Sequence, residues 1–164
     1  MKIAIGADSE GLGLKDALKR HLKEKGHACV DVGGSLKKRR PYYEVAHDLA
    51  ARVGSGGAER GVLICGTGTG MAVVANKHPG VFAAACEDPS AAALARSINN
   101  ANVLALGGWV TAPRRAKEIV DAFLKTEFKS GWPPEEKAWL DKSMTDIRAI
   151  EASEFRSRGS RRNR

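Results

Sequence analysis

The sequence predicts an α/β fold, a doubly wound parallel sheet with helices on both faces. Short apolar runs alternate with amphipathic helical stretches along the chain. Eighteen glycines are present, and many fall where a strand hands over to a helix. A length of 164 residues suits one domain with a full core.

The first strand is residues 2–6, opening directly at the N-terminus. A helix follows at 14–22, where Leu14, Ala17, Leu18 and Leu22 form one stripe, and Gly26 ends it. Residues 29–32 make a short second strand, and a basic loop leads to Pro41. Tyr43 to Val53 is helical and stops at Gly54-Ser55-Gly56-Gly57. Strand 61–65, helix 70–77, strand 81–86, helix 89–99, strand 102–106 and helix 113–125 complete the alternation. Beyond the Trp132-Pro133-Pro134 turn, a polar helix near 135–151 reads as an appendage.

An apolar content of 43% fits a globular chain, and the net charge of +8 is localised. Lys37-Lys38-Arg39-Arg40 contributes +4 and the segment from Glu151 to Arg164 contributes +3, leaving the rest near neutral. No aromatic interleaving or binding motif accompanies these clusters, so a solvated loop and tail are expected rather than a nucleic-acid surface. Cys29, Cys65 and Cys86 are too few and too far apart for a metal site or a disulfide framework. Reduced thiols, no metal and a cytoplasmic location are therefore expected. No apolar signal segment or run of about 18 apolar residues is present, so a soluble protein with no membrane partner is expected.

The chemistry concentrates in Val62-Leu63-Ile64-Cys65-Gly66-Thr67-Gly68-Thr69-Gly70-Met71. A buried strand ends on a thiol, alternating glycines make a tight turn, and a helix begins. Backbone N–H groups in such a turn form an anion-binding concavity, which the start of the helix reinforces. Thiols in such places ionise more readily than free ones and serve as bases or nucleophiles. The plain alternative is a small core residue, which is how Cys29 and Cys86 read. A dinucleotide site is a rival reading, because Glu87 lies about 20 residues further on, where a ribose-binding acid belongs. The glycines, however, read G-x-G-x-G, and Met71 stands where a third small residue is wanted. Asp8 follows the first strand, with Glu10 close by. It reads either as a helix cap or as a group that orients a ligand hydroxyl against Cys65.

Taken together, four segments resemble the ribose-5-phosphate isomerase type B and galactose-6-phosphate isomerase family. They are Ile3-Ala4-Ile5-Gly6-Ala7-Asp8, Gly61 to Gly70, Ala75-Asn76-Lys77-His78-Pro79-Gly80, and Asn99 to Gly107. The likeness spans residues 1–128, taken as the isomerase-like domain, with 129–164 as a helical extension and basic tail. It implies a Rossmann-like three-layer sandwich with a five-stranded parallel sheet. It also implies a homodimer or tetramer acting, without cofactor or metal, as an aldose–ketose isomerase of a small phosphorylated sugar.

By this resemblance Cys65 is the base that moves a proton through an enediolate, and Thr67 handles the proton between the substrate oxygens. The turn of Gly66, Gly68, Thr69 and Gly70 holds the oxyanion. Asp8 and Asn99 hold substrate hydroxyls, and Tyr43 is an aromatic at the rim. The sequence also departs from the pattern. Ser9 stands in place of a phosphate-contacting His and Ile98 in place of the ring-opening His. Trp109 and Trp132 replace phosphate-binding Arg, and Met71 replaces the Glu of some relatives. Arg39, Arg40, Arg114 and Arg115 are the candidates for replacement charge. An acyclic tetrose phosphate would need no ring opening. The alternative reading is a non-catalytic relative that binds a sugar phosphate or a partner.

Overall fold

The computed structural model describes residues 1–161, with side chains through residue 155. Residues 162–164 of the predicted basic tail lie outside the described residues. The order is β1 (Lys2–Ala7), a 3-10 turn (Ser9–Gly11), α1 (Leu12–Glu24), β2 (Ala28–Asp31), α2 (Tyr42–Gly54), β3 (Arg60–Cys65), α3 (Thr69–Ala75), β4 (Ala83–Ala85), α4 (Pro89–Ser97), β5 (Val103–Gly107), α5 (Pro113–Lys125) and α6 (Pro134–Arg161).

All five strands are parallel, in the order β2-β1-β3-β5-β4. From β1 the chain moves first to one side and then to the other, so the crevice between the carboxyl ends of β1 and β3 is the topological switch point. Side-chain alternation sorts the core into two layers. Ile3, Ile5, Val62, Ile64, Leu104 and Leu106 face α1 and α5, where Leu18, Leu22, Ile119 and Phe123 meet them. Ala4, Leu63, Cys65, Val103 and Ala105 face α2 and α3, against Val45, Leu49, Met71 and Ala75. Small residues line much of this second face, and α2 and α3 pack closely on it.

The differences from expectation have local causes. The fourth strand is three residues long rather than six. Phe82 gives its N–H to Asn102 Oδ1 at 2.9 Å, and Ala83 exchanges two bonds with the Asn76 side chain, at 2.8 and 2.9 Å. Side chains thus take over hydrogen bonds that a longer ladder would make, and the Asn76 pairing also marks the end of α3. Arg96, 1% exposed, plays a related part in the turn between α4 and β5. It donates to Ala101 O at 2.6 Å, Asn100 Oδ1 at 2.9 Å and Thr126 O at 3.3 Å, and lies over the Phe123 ring. Burial pushes its guanidinium down to about 10.

The last helix, α6, runs to Arg161 rather than 151. Leu140 and Met144 are buried, Lys129 pairs with Asp141, and Glu151 accepts the Gly80 N–H. Among the described residues, no helix is long and apolar enough to cross a membrane.

Candidate active site

Three glycines of the β3–α3 turn are fixed by what lies beside them. A Cβ on Gly66 would sit 2.8 Å from the Trp109 ring, and one on Gly70 would sit 3.0 Å from the Tyr42 ring. Gly68 has φ +80°, and a Cβ there would lie 2.9 Å from the Leu106 carbonyl carbon. The last is a backbone demand that only glycine meets without strain. The turn is also stitched to the loop after β5: Gly108 donates to Cys65 O at 2.7 Å and Trp109 to Gly66 O at 3.0 Å.

Cys65 is 6% exposed, and its Sγ accepts the Gly68 N–H at 3.2 Å. That bond is directed at the sulfur from inside the turn. The sulfur borders a cleft of about 210 Å³ at the β1/β3 switch point, with Asp8 and Glu10 on one side and Tyr42 and Trp109 around it. Gly66, Thr67 and Gly70 complete the lining. The volume is below the roughly 300 Å³ at which drug-sized ligand sites begin.

Asp8 is a cap, and it also stands in the wall of the cleft. Its Oδ1 caps the 3-10 turn by accepting from Glu10 N at 3.0 Å and Gly11 N at 3.3 Å, and the carboxyl also lines the cleft. Burial, opposed by the two N–H bonds and aided by the charge of Glu10, holds its carboxyl above the usual range. Glu10 receives the Ser9 hydroxyl at 3.1 Å on Oε1 and the Trp109 indole N–H at 3.2 Å on Oε2.

Several expected site residues lie elsewhere. The cleft aromatic is Tyr42 rather than Tyr43, which is 53% exposed. Tyr42 opens α2 directly after Pro41, and one residue of helix turns a side chain by about 100°. Ser9 is exposed and spends its hydroxyl on Glu10. Asn99 follows α4, which returns to the amino edge of the sheet. Its neighbour Asn102 there accepts from Gly61 N at the start of β3, so within one chain Asn99 and Cys65 are at opposite edges.

The arginines do not converge on the cleft either. Arg40 donates to Val32 O and pairs with Asp48 at 2.8 Å. Arg39 is exposed in the loop after β2. Arg114 and Arg115 start α5 at the carboxyl edge, and both pair with Glu118. Met71 is fully buried in the core and lies outside the cleft lining. The residues missed are Tyr42 and, as parts of one wall, Glu10 and Trp109. The glycine spacing carried part of the signal, since Gly66 and Gly70 each mark a ring passing close to the backbone.

The dinucleotide reading does not survive the strand order. Glu87 follows β4, and β5 lies between β3 and β4. Two strand spacings of about 4.8 Å separate that acid from the glycine turn, where the fingerprint needs adjacent strands. Among the described residues, no group of three or more His, Cys, Asp or Glu is placed to hold a metal ion.

Comparison with known proteins points to one family. The chain is 41% identical over 157 residues to a 4-deoxy-4-sulfo-D-erythrose isomerase from Clostridium sp. strain MSTE9, covering 95% of this chain and 99% of that protein. It is 45% identical over 132 residues to a D-erythrulose-4-phosphate isomerase from Pectobacterium atrosepticum, covering 80% and 87%. The structure of Clostridium thermocellum ribose-5-phosphate isomerase B superposes with a TM-score of 0.85 at 37% identity, over 93% of this chain and 99% of that one. Residues 3–140 match the Ribose/Galactose Isomerase family. With the match spanning most of the chain, and the thiol-bearing turn at the switch point inside it, the chain belongs to the ribose/galactose isomerase family.

Proposed function

We propose that the protein interconverts an aldose and a ketose of four carbons carrying a terminal phosphate or sulfonate. The observation that carries this reading is the Cys65 sulfur, held by the Gly68 N–H at the edge of a 210 Å³ cleft that Asp8 shares. Cys65 takes the proton from C2 of the open-chain aldose, giving an enediolate, and returns it at C1. Thr67 passes the hydroxyl proton between O1 and O2. With the Gly68 N–H turned to sulfur, its neighbours in the turn hold the enediolate oxygen. Asp8 orients a substrate hydroxyl.

Ile98 gives the chain length its meaning. A hydrocarbon side chain offers neither donor nor acceptor for opening a sugar ring. A four-carbon chain whose terminal oxygen is phosphorylated, or replaced by sulfonate, has no hydroxyl there to close a furanose ring. Two relatives named for four-carbon substrates support the same choice.

The reading extends to a second copy of the chain. Asn99 reaches a cleft only from another protomer, and Trp139 and Ile150 leave an apolar strip exposed on α6, at 64% and 63%. Both favour a homodimer or tetramer; the reading also takes the protein as a cytoplasmic enzyme, with residues 1–128 as the isomerase domain and 129–164 as an extension. Arg39, Arg114 and Arg115 are the cations left to meet the terminal anion, the last two from the carboxyl edge.

The second reading, a relative that binds its ligand without turnover, rests on Ser9, Ile98 and Trp109. An assay of the full-length protein with four-, five- and six-carbon aldose phosphates and a four-carbon sulfonate decides between them. Turnover greatest on a four-carbon substrate is expected. Binding with no isomerisation of any would overturn the enzyme reading.

A further inference from the structure

One wall of the cleft is the Trp109 indole ring, held in place by three contacts. Its main chain is bonded to Gly66 O at 3.0 Å, and the preceding Gly108 is bonded to Cys65 O at 2.7 Å. The ring lies so close over Gly66 that a methyl group there would be 2.8 Å away. The indole N–H is held at 3.2 Å by Glu10 Oε2, while Glu10 Oε1 takes the Ser9 hydroxyl at 3.1 Å. The ring nevertheless remains 68% exposed, so it forms a lip with solvent behind it rather than part of the core.

Charge points the same way. The residues lining the cleft include two carboxylates, Asp8 and Glu10, and neither Lys nor Arg. A terminal anion is repelled from the Glu10 side and must leave the cleft elsewhere. The substrate's length is then limited by the distance between the sulfur and that exit, with the indole occupying the space an extra carbon would need.

We propose that Trp109, latched to Glu10, determines the chain length of the substrate, admitting four carbons and shutting out five. The proposal rests on the isomerase reading and adds to it the residues that set specificity. One added methylene against a fixed wall is worth about 10–200-fold in discrimination, so the effect is measurable.

The test compares kcat/KM for erythrose 4-phosphate and ribose 5-phosphate in the full-length protein and four variants. Trp109→Ala should raise the five-carbon to four-carbon ratio by about tenfold or more, chiefly through a lower KM for ribose 5-phosphate. Glu10→Ala, which frees the ring, should move the ratio the same way by less. Glu10→Gln keeps an oxygen for the indole N–H but loses the charge, so its ratio should fall between those of the wild type and Glu10→Ala. Trp109→Phe keeps a ring but loses the latch and should behave like Glu10→Ala, which covers the case in which Trp109→Ala fails to fold. A ratio unchanged in folded Trp109→Ala, or in both Trp109→Phe and Glu10→Ala, overturns the wall. A wild type that prefers ribose 5-phosphate overturns the wall and leaves the isomerase standing. One that isomerises neither of these sugars nor the four-carbon sulfonate overturns both.

Discussion

Cys65 Sγ and the Gly68 N–H face each other across 3.2 Å inside a turn that only glycine can make. The sulfur is placed by β3 and its hydrogen-bond donor by the turn, so the fold alone sets the pair. If the sulfur is the base, Cys65→Ala should lower kcat by about 10²–10⁴-fold. Ligand binding and melting temperature should stay close to wild type. Exchange of solvent deuterium into C2 of the substrate, followed by NMR, should disappear with turnover. Retained exchange would move the role to Asp8 or Glu10.

Gly68→Ala tests the turn rather than the thiol. A side chain at φ +80° with its Cβ 2.9 Å from the Leu106 backbone has no flexible neighbour to push aside. Strain of this kind costs of order 1–3 kcal/mol. Calorimetry should show a lower melting temperature, and activity should fall even in the fraction that remains folded. A variant as stable as wild type would mean that the turn relaxes more easily than its packing implies.

Arg96→Met should destabilise the protein without touching the cleft. The guanidinium satisfies Ala101 O, Thr126 O and Asn100 Oδ1, and a thioether replaces none of these bonds. Each buried acceptor left without a donor costs about 1–3 kcal/mol. Urea unfolding should show the loss as a lower midpoint. Because Arg96 also fixes the loop that carries Asn99, KM should rise if Asn99 serves a neighbouring protomer's cleft.

Asp8 gives a pH prediction of definite sign. Its carboxyl is held above the ordinary 3.8, so the folded chain binds that proton more tightly than the unfolded chain. The resulting stabilisation is complete below 3.8 and is lost as pH rises through the folded value. Asp8→Asn keeps an oxygen for the Glu10 and Gly11 N–H groups and removes the titration. The variant should therefore gain in stability relative to wild type as pH rises from that region toward neutrality, and the difference should then level off. Urea midpoints across the range would measure it, and a difference that does not vary with pH would refute it.

The alternation of strands and helices was legible because each element is patterned by its own burial, and α5 falls on the residues its stripe predicts. The strand that was overread, 81–86, looked apolar enough to continue. Its hydrogen bonds are instead taken by Asn76 and Asn102, side chains that no periodicity reports. Asp8 and Cys65 were legible as neighbours because both end strands at the carboxyl edge. Tyr42 was missed by a single residue, since helical phase at a first turn depends on where Pro41 starts it. The Glu10–Trp109 bond joins residues 99 apart in sequence, and only the folded loops bring them together.

The pairing of β3 with β5, which sets Cys65 opposite Gly107, has an implication for inheritance. Leu63 and Cys65 face one layer of the core while Val62 and Ile64 face the other. A codon lost from within β3 would advance every later residue by one place and exchange the two faces. Many point changes along the strand could be absorbed by neighbouring side chains, but a change in its length would present the wrong residue to the cleft. The gene should therefore tolerate misspelling in this segment far better than omission.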